Sequence, residues 1–250
     1  MRTLRTTLAF ILFTAIFFSA CQREPNLEIL SIYSVKAPLR EIIKAYNKEN
    51  PKTKFKVFFK PTGTAYNEIN GEQSSANLAI MLNSEWLDSL INSNKLHTVK
   101  VFARNSLLLV GSVYAKDSIT THSDILTMLT NDQLGVNDPA SNVSGKLTLD
   151  LLKYYNIYDG IKNKIRFFPT TRSTLQAVEV SQVNYAIIYQ TDALTSDSVK
   201  TIYAFPQESY APIVFSIGVV SYNYHKESEN FIDFVQTKDA QEIFESYGFQ

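Results

Sequence analysis

Apolar and polar positions along this chain alternate between two periods. Period-2 or unbroken apolar runs predict strands at Glu28–Tyr33, Lys54–Phe59, Leu78–Leu82, Ser106–Ser112, Leu134–Val136, Ile165–Phe168, Asn184–Ile188, Lys200–Phe205 and Ile213–Val220. Between them, apolar residues return at helical spacing. Leu39, Ile42, Ile43 and Tyr46 stand at i, i+3, i+4 and i+7. Trp86, Leu87, Leu90 and Ile91 form a second stripe, Leu147, Leu151 and Tyr154 a third, and Leu175, Val178 and Val180 a fourth. Phe231, Phe234 and Val235 open a closing helical pair that ends with Ile243, Phe244 and Tyr247. Such stripes are core faces. Strands alternating with helices predict an α/β protein whose parallel strands are covered on both faces. A chain of 250 residues fits one large domain or two lobes. Two lobes would need the chain to cross between them on extended segments, and Ser106–Ser112 and Ile213–Val220 are the candidates. No internal repeat or long linker is visible.

The N-terminus breaks this pattern. Arg2 and Arg5 precede the apolar run Leu8–Phe18, which is too short to span a ~30 Å hydrocarbon core stably. Ser19-Ala20-Cys21 follows and resembles the processing box of bacterial lipoproteins. Residues 1–20 therefore read as a lipoprotein signal peptide, Cys21 as the lipidated residue and residues 21–26 as a tether. Cys21 is the chain's single cysteine, which excludes a disulfide framework and a cysteine-based zinc site. The expected location is extracytoplasmic, anchored to a membrane by lipid.

Composition removes further classes. Basic and acidic residues balance at 24 each, which argues against nucleic-acid binding. His97, His122 and His225 lie far apart without ligand-like spacing, so no metal cation site is expected. There is no G-x-S-x-G elbow and no H-E-x-x-H. Ser144-Gly145-Lys146 lacks the upstream glycine of a P-loop. No enzyme activity and no cofactor are expected.

What recurs is a hydroxyl at the entry to a helix. Ser34, Thr62 with Thr64, Ser144, and Thr170, Thr171 and Ser173 all lie between a predicted strand and a predicted helix. Each is suited to be an N-cap. Gathered in one cleft beyond the carboxyl ends of the strands, they would instead form a neutral cage of donors for an oxyanion.

Several segments resemble the periplasmic molybdate-binding proteins of ABC importers. Leu134-Gly135-Val136-Asn137-Asp138-Pro139 is similar to the family's L-A-(V/I)-x-(D/N)-P turn. Ala186–Ala193 resembles its G-(I/V)-V-Y-x-(S/T)-D-A segment, and Asn105–Val110 its N-x-L-V-(L/V)-(V/I) strand. Asp239–Phe249 is similar to the family's closing helix with its Y-G-F ending.

The resemblance implies a two-lobed, type II periplasmic-binding-protein fold with two crossovers. Lobe 1 would take residues 27–108 and 207–250, and lobe 2 residues 109–206. It implies molybdate or tungstate as ligand, held by Ser34, Thr62, Ser144, Thr171 and Tyr189, in a monomer that delivers to ABC permease subunits. The alternatives are another oxyanion, a small organic acid, or an interaction lipoprotein without a transport role. Departures cluster at the first lobe: Ser31–Val35 replaces A-A-A-S-L, and Ala76–Met81 replaces A-D-(L/V)-F-(I/A)-S. Lys36 and Lys60 flank the first two loops, and both are expected to extend into solvent. No Asp or Glu is expected beside the five loops.

Overall fold

The strand runs fold into two five-stranded sheets. The protein is described by a computed structural model that covers residues 26–82, 85–115, 119, 121–129 and 131–250. The leader, Cys21 and the tether up to residue 25 lie outside the described residues. The first sheet holds β1 (Asn26–Ser31), β2 (Lys54–Phe59), β3 (Leu78–Leu82), β4 (Leu96–Asn105) and β10 (Ile213–Val220), in the order β2-β1-β3-β10-β4. The second holds β5 (Leu107–Ser112), β6 (Leu134–Asn137), β7 (Ile165–Phe168), β8 (Tyr185–Tyr189) and β9 (Val199–Ala204), in the order β7-β6-β8-β5-β9. In each sheet three neighbouring strands run parallel, and the fourth is antiparallel to both of its neighbours. The fold thus repeats itself where the sequence shows no repeat, because order and direction are matched without matching residues.

Each parallel strand must return through a crossover, and helices fill that role. Helix α1 (Lys36–Glu49) follows β1, α2 (Thr62–Asn70) follows β2 and α3 (Glu85–Asn92) lies between β3 and β4. In the second sheet, α4 (Asp124–Met128) precedes β6, and α5 (Val143–Tyr154) and α6 (Tyr158–Ile161) follow it. Helix α7 (Thr171–Glu179) follows β7, and the short α8 (Gln190–Ala193) follows β8. The chain closes with α9 (Glu227–Val235) and α10 (Lys238–Ser246). The α1 stripe is buried as its spacing requires, and Tyr46 meets Phe55, Phe231 and Phe234 edge-on at 5.7, 5.2 and 5.2 Å. Two stripe ends behave differently: Tyr154 is 60% exposed, and Val180, just beyond α7, is 64% exposed.

Sequence periodicity misses β4. Thr98 takes a positive φ of 50°, and the β4–β10 register shifts. The burial of successive residues therefore changes phase, with Phe102 and Ala103 both buried, and alternation is lost.

The chain leaves the first sheet after Asn105 and enters the second at Leu107; it returns between Ala204 and Ile213. The long strands β5 and β10 thus each lie wholly in one sheet, and the passages are the short segments before them. A polar knot fixes the first passage. Ser106 Oγ accepts from Gln207 Nε2 at 2.7 Å and from Gln250 Nε2 at 2.9 Å. Asn105 Nδ2 donates to Thr191 Oγ1 at 2.9 Å, and Leu107 N–H donates to the Tyr210 hydroxyl at 3.1 Å. The C-terminal Gln250 also exchanges backbone bonds with Arg104, at 2.7 and 3.0 Å. The closing helices therefore deliver the chain end to the junction of the two sheets.

Gly145 allows the first turn of α5 to press onto the end of β6. A Cβ there would lie 2.2 Å from the backbone oxygen of Asn137. Gly145→Ala is expected to lower stability by about 2–3 kcal/mol, read as a reduced urea midpoint at an unchanged slope.

Candidate oxyanion site

The five residues singled out in the sequence all stand just beyond or at the carboxyl ends of parallel strands. Ser34 lies in a single helical turn, Tyr33–Val35, between β1 and α1. Thr62 is the first residue of α2 after β2. Ser144 is in the first turn of α5 after β6, Thr171 opens α7 after β7, and Tyr189 ends β8. Ligands of open α/β sheets gather at such strand ends, where helix N-termini present unpaired N–H groups.

These hydroxyls are not spent on capping, which corrects their reading as N-caps. The residues preceding α1, α2 and α5 are Val35, Pro61 and Asn142, and none makes a side-chain cap. Helix α7 is capped by Thr170, which exchanges bonds with Ser173 in a capping box and leaves Thr171 free of that duty. Thr237 caps α10 in the same ordinary way. Among the described residues, the hydroxyls of Ser34 and Thr62 make no hydrogen bond. Ser34 is exposed and Thr62 half-buried.

Two of the three residues from the second sheet, Ser144 and Thr171, are joined through one amide. Asn137, the last residue of β6, is 1% exposed. Its Nδ2 donates to Ser144 Oγ and, at 3.0 Å, to Thr171 Oγ1, while its Oδ1 accepts from Thr174 Oγ1. The Ser144 hydroxyl lies near the Tyr189 phenol and slightly offsets the effect of burial on it. Burial raises the Tyr189 pKa well beyond the ordinary tyrosine range, with the Asp192 charge adding to it, so the phenol keeps its proton. No hydrogen bond among the described residues joins Ser34 or Thr62 to this trio. Ser34 and Thr62 instead share neighbouring strands, and Lys60 N–H donates to Ser31 O at 2.9 Å between their loops.

Several features escaped sequence reading. Asn137 lies inside the Leu134–Pro139 segment, but a strand-end asparagine gives no signal of which hydroxyls it will meet. Trp86 packs its ring 3.3 Å from where a Cβ on Gly63 would sit, beside Thr62, and stacks on Tyr66 at 6.0 Å. Lys60 does not extend freely into solvent, because Glu68 of α2 binds it. Lys36 places its Nζ 5.4 Å from the Phe59 ring centre and has no acidic partner among the described residues. An acid does stand beside one loop: Asp192, three residues past Tyr189. Burial pushes its carboxyl up to about 7, and the Arg172 guanidinium offsets part of that rise.

Taken together, two matched α/β sheets joined by two short passages, with helix entries carrying unspent donors, define a solute-binding protein of the type II periplasmic class. The chain belongs to the bacterial extracellular solute-binding protein family, whose pattern matches residues 27–250. It is 26% identical over 227 residues to a molybdate-binding protein of Haemophilus influenzae, covering 88% of each chain. It is 24% identical over 233 residues to a putative ABC transporter substrate-binding lipoprotein of Bacillus subtilis, covering 91% of this chain and 87% of that one. The fold matches the substrate-binding domain of a putative molybdenum ABC transporter from Clostridium difficile with a TM-score of 0.79 at 22% identity, covering 90% and 98% of the two chains. These relatives bear the names of binding proteins, not of enzymes. Among the described residues, no helix is long and apolar enough to cross a membrane, and no group of acidic, histidine or cysteine side chains could hold a metal ion.

The Asp192 shift has a consequence for stability. An unfolded chain releases this proton near pH ~4, whereas the folded protein holds it to about 7. The stabilisation that goes with the proton is full in acid and is lost as pH rises through 7. Raising pH from about 5 to about 8 is expected to lower the Tm of the wild type more than that of Asp192→Asn, measured by differential scanning calorimetry.

Proposed function

We propose that this chain is the lipid-anchored capture subunit of an ABC importer and that its solute is a tetrahedral oxyanion, molybdate or tungstate. The observation that carries this reading is the set of helix-entry hydroxyls that no helix consumes. Ser34 and Thr62 follow neighbouring strands of one sheet; Ser144, Thr171 and Tyr189 follow those of the other. The names of the Haemophilus influenzae and Clostridium difficile relatives point to the same solute. In this reading the sheet of β1–β4 and β10 with the closing helices forms one lobe and the sheet of β5–β9 the other, so the first boundary falls at Ser106 and not after residue 108. Neither half completes the cage, so the anion favours the closed arrangement through contacts made only there. Partial charges from many fixed dipoles then balance a dianion without an ion pair. A closed monomer would present itself to the permease subunits, held near them by lipid on Cys21.

A second reading is favoured by Lys36. A cation over Phe59 with no acidic partner among the described residues, two residues from Ser34, suits a bulkier anion such as a small organic acid better than a compact tetrahedral ion.

A thermal-shift panel of molybdate, tungstate, sulfate, phosphate and small carboxylates decides between them. At ~1,000 times Kd the true ligand should stabilise the fold by about 4 kcal/mol. Molybdate and tungstate are expected to give the largest shifts. No shift with either would end the molybdate reading, and a shift with a carboxylate alone would establish the second. Ser34→Ala and Tyr189→Phe are each expected to weaken the ligand by about tenfold or more with the Tm of the free protein little changed. For the anchor, Cys21→Ser is expected to move the protein from the membrane fraction to the soluble one and to abolish metabolic labelling with palmitate.

A further inference from the structure

We propose that the outer face of α1, with the turn that follows it, is a docking surface for the anionic phospholipid headgroups of the membrane. The lipid on Cys21 belongs to the reading above; the surface stands on charge and geometry of its own.

The argument starts from where the charges lie. The chain holds 24 basic and 24 acidic residues, so its overall charge balances. Between residues 36 and 60, however, eight positions are basic and only Glu41 and Glu49 are acidic, a local excess of six. Half of that basic set forms one line. Lys36, Arg40, Lys44 and Lys48 follow at steps of four along α1, and all are exposed. The buried residues of the same helix are Pro38, Leu39, Ile42 and Tyr46. At about 3.6 residues per turn, the basic line lies opposite the face that meets the core.

Ordinary duties do not account for this line. An exposed helix face gains from opposite charges at that spacing, whereas like charges four apart repel. Here three like-charged pairs follow in succession. Glu41 answers Lys44 at 3.7 Å. Arg40 and Lys48 have no acidic partner among the described residues, and neither has Lys52 in the turn beyond α1. Helix α10 packs beside α1 and carries acids, yet its Glu242 pairs with its own Lys238 at 3.4 Å. Lys54 and Lys56 are a different case. They lie on β2, an edge strand, where lysines block the addition of a further strand, and Glu28 binds Lys56 at 3.4 Å. Lys36 stands over Phe59 at the end nearer the anion site. Arg40, Lys48 and Lys52 are left for a partner outside the fold.

Position names that partner. Asn26, the first residue of β1, is in register with Lys54, two residues past Lys52. Cys21 precedes Asn26 by five residues, which reach at most about 17 Å when extended. A lipid on Cys21 therefore brings headgroups to the end of the lobe where Lys48 and Lys52 stand. From there the basic line runs along α1 toward the strand ends that carry the site. Lipid supplies attachment, and a basic face is the second signal that fixes which side lies down. With α1 against the surface, the site opens along the membrane instead of away from it.

The test is sedimentation of the chain lacking residues 1–21, which keeps every described residue, with vesicles of phosphatidylcholine alone or mixed with phosphatidylglycerol. The wild type is expected to bind the mixed vesicles at low salt, to leave them at high salt and to ignore the neutral ones. Arg40→Gln, Lys48→Gln and Lys52→Gln combined are expected to weaken that binding by about a hundredfold, with Tm and anion affinity unchanged. Lys153→Gln, Lys162→Gln and Lys164→Gln, beside the other sheet, remove the same charge and are expected to leave it intact. Equal losses in the two triple variants would overturn the location. Absent binding, or binding indifferent to phosphatidylglycerol and salt, would overturn the lipid assignment. So would binding that appears only when permease subunits are present in the vesicles, which would point to an acidic protein surface. If the first triple variant does not fold, the second and the lipid and salt dependence of the wild type still decide. Capture by vesicles without palmitate labelling of the complete chain would remove the anchor and leave the surface standing. Labelling without capture would keep the anchor and overturn the surface.

Discussion

Parallel strands impose the constraint on which this molecule depends. A strand that pairs parallel with its neighbour cannot turn back through a tight hairpin; it must hand over to a crossover, and here the crossovers begin with helices. Strands β1, β2, β6 and β7 all end on the same edge of their sheets, so α1, α2, α5 and α7 begin side by side at those edges. Each helix start leaves N–H groups without intrahelical partners. The fold therefore concentrates unpaired donors in two places before any side chain is chosen. Hydroxyl residues at these starts enlarge that supply, and the caps at Thr170 and Thr237 show what a hydroxyl does when its helix alone claims it.

Burial decides how far such donors can be trusted to keep one direction. A side chain in water changes rotamer freely, whereas one bonded to a buried amide is restrained. Ser144 and Thr171 are held by Asn137. Ser34 and Thr62 have no such support among the described residues. The second sheet's Ser144 and Thr171 are thus anchored by a buried amide, and the first sheet's Ser34 and Thr62 are not, among the described residues. This asymmetry lies beneath a topology that is otherwise the same in both sheets.

The junction between the sheets carries polar contacts beside its apolar ones. Ser106 receives two glutamine side chains, one from the return passage and one from the chain end, and Asn105 reaches Thr191 in α8, immediately after Tyr189. Hydrogen bonds at the junction add directional contacts, each of modest net strength, to an apolar cluster that runs through both sheets. It also ties the C-terminus to the helix that follows the site's tyrosine: Gln190 Nε2 donates to Gly248 O at 3.2 Å, and Leu194 presses against Gly248, whose φ is +85°.

Local order was legible in the sequence wherever a period survived. The stripes of α1, α3, α9 and α10 and the runs of β2, β3, β7 and β10 could be read directly, because repeated burial on one face leaves a repeated apolar residue. Strand β4 was not legible, because Thr98 and the shifted register change its phase. The helix-entry hydroxyls were legible as residues and their clustering as a resemblance, but whether they would cap was not, since Ser and Thr look the same in either role. Only the tertiary structure decided that Asn137, seven residues before Ser144 and thirty-four before Thr171, would hold both. It alone set Lys60 against Glu68 and half-buried Asp192 near Arg172. The sequence by itself determined which segments bury a face, because burial follows composition along the chain. Hydrogen-bond partners distant in sequence leave no periodic trace, and they exist only once the strands have been placed side by side.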